Sequence, residues 1–367
     1  MTPPNIQDLA VAGALGLHPY QPGKPLSELE REYGVTDAVK LASNENPLGP
    51  SPKARAAVEA SLADMARYPD GNGFALKAAL SAKLGVDPAG ITLGNGSNDV
   101  LDLIARAFLE PGREAVFSQY AFIVYPLAVQ AVGATAKIAH AKDYGHDLAA
   151  MRAQIGQDTR VVFIANPNNP TGTWLPRSEL EAFIADLPEH VVCVVDEAYF
   201  EYVREPDYPD ALAWLNRFPR LIVTRTFSKA YGLAGLRVGY GVSHPDIADL
   251  LNRVRQPFNV NTLALEAATA ALDDIDHLRK AVAVNNEGLH VLATALTDLG
   301  VAYIPSVGNF ITTHLGRPAG PVYQALLKEG VIVRPVANYG MPEHLRISVG
   351  LPHENERFLF ALKKVLG

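Results

Sequence analysis

One cysteine in 367 residues, Cys193, leaves no intrachain disulfide and fits a reducing compartment. It sits inside Val191-Val192-Cys193-Val194-Val195, the setting of a buried structural thiol rather than a nucleophile. Long apolar runs are missing as well. No stretch of about 18 residues is apolar enough to span a bilayer, and no basic start leads into an apolar core with a cleavage site. A cytoplasmic protein without a membrane partner is expected. Positive charge is in short supply: 32 Lys+Arg stand against 39 Asp+Glu, a net charge of −7. That balance argues against nucleic acid as a partner, and an anionic substrate must be met by local arginines against the overall field. The ten histidines form no His-Glu-x-x-His or comparable spacing, so no metal site is expected. Neither the Gly-x-Gly-x-x-Gly fingerprint nor the P-loop pattern occurs, which counts against a nucleotide-binding oxidoreductase.

What is present is ordinary in bulk and specific in detail. Hydrophobic residues make up 48% and charged residues 19%, the balance of a globular protein long enough for two domains. Residues 1–30 carry Pro3, Pro4, Pro19, Pro22 and Pro25 and are expected to form an extended arm. Tyr20 lies at its centre, where it anchors the arm or takes part in binding. Short strands are predicted at 91–93, 115–117, 160–165, 191–195 and 221–224, with helices at 74–84, 100–108, 124–132 and 177–187 between them. Uninterrupted Val/Ile runs alternating with helices predict a mainly parallel sheet covered on both faces. From about 259 the pattern changes to a long helical region, 262–299, followed by strands with one helix between them and a last helix at 354–365. The expected division is an arm at 1–30, a large α/β domain at 31–260 and a smaller α+β domain at 261–367. Residues 31–50 could associate with the small domain.

The polar motifs fall at one edge of that sheet, beyond the carboxyl ends of the strands, where open α/β sheets bind ligands. Gly94-Asn95-Gly96-Ser97-Asn98-Asp99 follows the first strand and opens a helix, an arrangement that serves as an anion cradle or as a plain capped turn. Tyr120 follows the second strand, Asn169 the third, and Asp196 with Tyr199 the fourth. The fifth ends in Thr226-Phe227-Ser228-Lys229, with Arg237 eight positions on. A partly desolvated lysine offers a free amine for an imine. Hydroxyls with an arginine suit a phosphate monoester. A buried aspartate needs a cationic partner or strong donors. These are the groups that pyridoxal phosphate chemistry requires of a protein.

Asn169-Pro170-Thr171-Gly172, Asp196-Glu197-Ala198-Tyr199, and Ser228-Lys229 with Arg237 resemble the signature series of fold-type I pyridoxal-phosphate aminotransferases. The stretches His18-Pro19-Tyr20-Gln21-Pro22-Gly23, Asn44-Glu45-Asn46-Pro47 and Leu345-Arg346-Ile347-Ser348-Val349-Gly350 are similar to the histidinol-phosphate aminotransferase family of the class II branch. The resemblance implies that Lys229 holds the cofactor aldehyde and shuttles a proton, and that Asp196 pairs with the ring nitrogen. Asn169 and Tyr199 then hold the ring oxygen, and Tyr120 stacks on the ring. The backbone at Asn98 and Asp99, with Thr226, Ser228 and Arg237, binds the cofactor phosphate. Tyr68 reaches that phosphate from the second subunit of a homodimer with shared active sites. Arg346 takes the substrate carboxylate, Arg334 and Tyr20 the substrate phosphate, and Asn46 lies at the substrate site. The implied partners are L-histidinol phosphate and the pair 2-oxoglutarate/L-glutamate. Gln119 and Phe122 depart from the family pattern and leave room for an aromatic amino-acid transaminase. A non-catalytic sensor on the same fold is the remaining alternative.

Overall fold

The computed structural model describes residues 5–17 and 23–367. Its strands run β1 (Val39–Lys40), β2 (Ile91–Gly94), β3 (Glu114–Ser118), β4 (Thr135–Ala139), β5 (Thr159–Ala165), β6 (Val192–Asp196), β7 (Leu221–Thr226), β8 (Gly239–Ser243), β9 (Ala302–Ile304), β10 (Phe310–His314), β11 (Val331–Ile332), β12 (Arg334–Pro335) and β13 (His344–Ser348). Seven of them form one sheet in the order β2-β8-β7-β6-β5-β3-β4, parallel throughout except for β8, which is antiparallel to both neighbours. The Val/Ile runs of β5 and β6 are buried on both faces. Val162, Ile164, Cys193 and Val195 pack with Leu180, Phe183 and Ala264 on one side. Val161, Phe163, Val192 and Val194 pack with Leu101, Ile104 and Val129 on the other. This is the α/β arrangement that the sequence pattern predicts.

A second, antiparallel sheet has the order β12-β13-β10-β9. It shares a core with helices Ile275–Asp298, Ala319–Lys328 and Pro352–Leu366 through Leu292, Leu326 and Phe358. The expected single helical region breaks where the Asp274 side chain caps a new helix by accepting from the N–H of His277. The first piece, Thr262–Leu272, packs into the core of the large sheet through Ala264, Leu265 and Ala268, beyond the expected limit at 260. β1 pairs in parallel with β11 as a separate two-stranded sheet, and Leu41 ties the segment to the second sheet by accepting from the Ser348 N–H.

The N-terminal segment is less extended than its prolines suggest. Short helices occupy Ile6–Leu9 and Ala12–Leu15, and a third runs from Leu26 to Tyr33, ending at Gly34 in the left-handed conformation. Leu29 accounts for the third helix: it is fully buried against Ala42, Leu327 and Ile332. Among the described residues, no helix is long and apolar enough to cross a membrane, and no cluster of His, Cys, Asp and Glu is placed to hold a metal ion.

Candidate active site

The carboxyl ends of the large sheet, the turn at Ala42-Ser43 and the second sheet enclose a cavity of about 380 Å³. Its lining includes Asn98, Asn169, Asp196, Tyr199, Thr226, Ser228, Lys229, Arg237, Arg334 and Arg346, so most of the motifs that the sequence scatters over 250 positions meet here.

Asp196 closes β6 at the floor of the cavity and is 4% exposed. Its Oδ2 accepts from the Tyr125 hydroxyl (2.9 Å) and its Oδ1 from the Thr224 hydroxyl (3.0 Å). Burial pushes its carboxyl up to about 6, against the pull of these donors and of Lys229. Its hydrogen-bond donors, the two hydroxyls and the Ala198 N–H, are uncharged. A buried carboxylate so placed suits a cationic ring nitrogen.

Lys229 follows β7 and points its Nζ at the Ser43 carbonyl (3.2 Å). Burial, then the neighbouring Arg346, pushes its ammonium down to about 7, with Glu45 and Asp196 pulling the other way. The amine is therefore substantially free near neutrality, the state a nucleophilic lysine needs. The Tyr199 hydroxyl accepts from Asn44 Nδ2 (2.9 Å), and burial raises that phenol to about 12, so it stays a donor. Asn169 Oδ1 accepts from Arg346 Nη1, and Arg346 Nη2 donates to the Ala42 carbonyl (2.8 Å). The guanidinium is thereby aimed into the cavity from β13.

The anion cradle is built by close approach. Helix Ser97–Phe108 starts at the cavity with first-turn N–H groups lacking helical partners. Gly96 has φ +78, and a Cβ there would lie 2.4 Å from Arg237 Nη2. A Cβ on Gly239 would lie 2.3 Å from the Ser97 nitrogen. Arg237, itself at φ +60, is fixed by bonds to the Ala234 carbonyl (2.9 Å) and the Ser228 hydroxyl (3.3 Å), while the Thr226 hydroxyl accepts from the Ser228 N–H (3.1 Å). Helix terminus, hydroxyls and guanidinium converge on one place, which fits a phosphate.

Other expected site residues stand elsewhere. Asp99 braces the loop from behind: its Oδ2 accepts from the Asn95 N–H (2.8 Å) and Asn259 Nδ2 (2.7 Å), and its own N–H donates to the Gly96 carbonyl (3.2 Å). Asn46 spends both polar atoms on backbone groups, donating to the Ala230 carbonyl next to Lys229 (2.9 Å) and accepting from the Leu48 N–H of its own turn (3.0 Å). Tyr120, at φ +60, packs with Tyr144, Tyr339 and Met341 and is not among the lining residues, where Phe122, Ile123, Val124 and Leu127 form an apolar wall. Tyr68 is 83% exposed and stacked on Phe258 (4.8 Å), away from the cavity. Tyr20 lies outside the described residues. Sequence reasoning missed Tyr125, Thr224 and Asn44, which hold the cavity's polar groups, and Tyr339 in its wall.

The family described as Aminotransferase class I and II matches residues 36–362. Histidinol-phosphate aminotransferase 2 of Methylococcus capsulatus is 62% identical over 368 residues, covering 99% of each chain. The enzyme of that name from Pseudomonas aeruginosa is 61% identical over 360 residues, 98% of each. The crystal structure of histidinol-phosphate aminotransferase from Sinorhizobium meliloti, in complex with pyridoxal-5'-phosphate, superposes with a TM-score of 0.88 at 31% identity over 94% of this chain and 95% of that one. A Thermus thermophilus aspartate aminotransferase variant, at 23% identity and TM-score 0.83 over 97% of this chain and 99% of that one, shares the fold.

Proposed function

This chain belongs to the class I and II aminotransferases, and we propose that it is the enzyme which moves the amino group of L-histidinol phosphate to 2-oxoglutarate. The products are imidazole acetol phosphate and L-glutamate, and the cofactor is pyridoxal phosphate. The observation that carries the reading is the joining, in one cavity, of a lysine poised near neutrality, a buried aspartate and three arginines. The residues present fit the cofactor. Asp196 offers a buried carboxylate with uncharged donors, and Gly96 leaves the space that Arg237 fills beside an anion.

Bound there, the cofactor supplies a cationic ring that withdraws electrons from the substrate α-carbon. Asp196 would hold the ring nitrogen. Asn169 and Tyr199 would serve the ring oxygen, and the N–H groups at Ser97 and Asn98 with Thr226, Ser228 and Arg237 would hold the phosphate. Lys229 Nζ, a free amine near neutral pH, takes the proton from the substrate α-carbon and returns it. Arg346 binds the carboxylate that glutamate brings, using a guanidinium already oriented by Asn169 and Ala42. Arg334, which lines the cavity, would meet the substrate phosphate; Tyr20 is assigned to that phosphate by the family resemblance alone.

The exposed ring of Tyr68 supports a homodimer with shared sites. On its segment Leu62, Met65 and Phe74 are exposed as well, an apolar face suited to a second copy. The wall of Phe122, Ile123, Val124 and Leu127 would also accept a phenyl ring, which keeps an aromatic transaminase as the second reading. The test is glutamate formation from L-histidinol phosphate and 2-oxoglutarate by the purified holoenzyme. Turnover with L-phenylalanine but not with L-histidinol phosphate would reverse the two readings.

A further inference from the structure

Asp196 is the most deeply placed charged group of the cavity, and the two hydroxyls that hold it come from different elements. Thr224 stands beside it on β7, in register across the β6–β7 ladder, and is fully buried. Tyr125 approaches from the other side, on helix Val124–Ala131. Its ring is fully buried and fixed by three aromatics: it stacks on Phe163 (4.8 Å, 11°), meets Phe122 edge-on (5.8 Å) and lies 6.2 Å from Phe117. A phenol locked so firmly has one polar atom, and that atom donates to Asp196 Oδ2. Neither hydroxyl faces a substrate.

We propose that Tyr125 and Thr224 are positioning residues that keep Asp196 an anion and aim its remaining lone pairs at the cofactor's ring nitrogen. The inference rests on the reading of Asp196 as the partner of that nitrogen. Each oxygen of the carboxylate has one lone-pair direction fixed by a hydroxyl, which sets the plane of the group. Each donor also stabilises the charged form against a neutral pair in which the proton has moved from the ring to the carboxyl. Burial alone favours that neutral pair, since it penalises both charges. Lys229 is the cation whose charge stabilises the Asp196 carboxylate, and burial brings its ammonium down to about 7, so that attraction fades as pH rises above neutrality. Burial, reinforced by the charge of Asp196, pushes the Tyr125 phenol well above its ordinary range, so it remains a donor throughout the working pH range. Two neutral hydroxyls thus hold the carboxylate where a cationic side chain would compete with the ring.

The test uses the holoenzyme loaded with pyridoxal phosphate labelled with ¹⁵N at the ring. The wild type is compared with Tyr125→Phe, Thr224→Val and Asp196→Asn at pH 8. Phenylalanine preserves the stack on Phe163, and valine preserves the volume of Thr224. Should one variant fail to fold, the other still carries the test. The expected result is a ring ¹⁵N signal in each hydroxyl variant displaced from the protonated position toward that of Asp196→Asn. Pyridoxal phosphate dissociation should also rise by roughly 10-fold or more per lost donor, the effect of a hydrogen bond to a charged group. A purely structural role would leave the ¹⁵N position unmoved. Wild-type signals in both hydroxyl variants, with Asp196→Asn displaced, would overturn the inference and leave the role of Asp196 intact. An undisplaced signal in Asp196→Asn itself would refute the underlying reading, and this inference with it.

Discussion

In the proposed reaction the chemistry turns on proton occupancy at Lys229, which burial and a neighbouring cation set. A lysine brought to about 7 by burial, then by Arg346 and Arg237, is about nine-tenths free amine at pH 8. An ordinary lysine, near 10.4, holds roughly 0.4% of its free form there, a difference of about 200-fold in reactive amine. The assay is the rate at which the cofactor-free protein captures pyridoxal phosphate covalently at Lys229, measured from pH 5.5 to 10 and read by mass after reduction. The rate should rise through a midpoint near 7 and level off. Arg346→Gln should move the midpoint upward, because the second largest contribution to the depression is gone. The same shift acts on stability. Between about 7 and 10.4 the unfolded chain binds the lysine proton and the folded chain does not, so this group makes the cofactor-free protein more stable as pH rises through that window. A capture midpoint near 10, unmoved by Arg346→Gln, would refute the reasoning.

Three further perturbations follow from the geometry. Arg346→Lys removes the fork that Asn169 and Ala42 orient, and should raise KM for glutamate by roughly 10-fold or more while sparing the fold; an unchanged KM would count against the carboxylate role. Gly96→Ala puts a methyl 2.4 Å from Arg237 Nη2 in a backbone region that only glycine occupies readily. Equilibrium dialysis should show pyridoxal phosphate affinity reduced by about 10-fold, and retained affinity would place the phosphate elsewhere. Mixing the inactive Lys229→Ala variant with Tyr68→Ala should regenerate roughly a quarter of wild-type activity if each site draws Tyr68 from the second subunit. No recovery after subunit exchange would refute the shared site.

The sequence made the polar edge of the large sheet legible because each motif ends a β-branched run, and Asn98, Asn169, Asp196, Tyr199 and Lys229 do meet in one cavity. It hid the residues that act from inside elements. Tyr125 reads as one more apolar position of a helix, and Thr224 as one more β-branched residue of β7; only tertiary packing turns both hydroxyls onto Asp196. β8 was masked by composition, since Gly-Tyr-Gly-Val-Ser carries few strand formers. Its glycines have a packing reason: a Cβ at 239 would meet the Ser97 nitrogen and one at 241 would come within 2.9 Å of Val100. β4 is an edge strand with exposed Thr135, Ala136 and Ile138, and it lacks the continuous buried pattern of its neighbours. Asp99 was assigned for its backbone and Asn46 from motif position, yet the Asp99 N–H donates to the Gly96 carbonyl and the Asn46 amide is spent on the Leu48 N–H and the Ala230 carbonyl. Adjacency in a motif does not fix which way a polar group faces.

The most direct test of the account is a titration of the purified, pyridoxal-phosphate-loaded protein with L-histidinol phosphate, L-phenylalanine and L-glutamate, each added alone, following the absorbance of the bound cofactor. The account predicts rapid conversion to the aminated cofactor by L-histidinol phosphate, at concentrations far below those that L-phenylalanine requires, and conversion by L-glutamate as the second partner. Conversion by L-phenylalanine at equal or lower concentration would contradict the substrate assignment. Absence of any lysine-bound cofactor absorbance before addition would contradict the role given to Lys229.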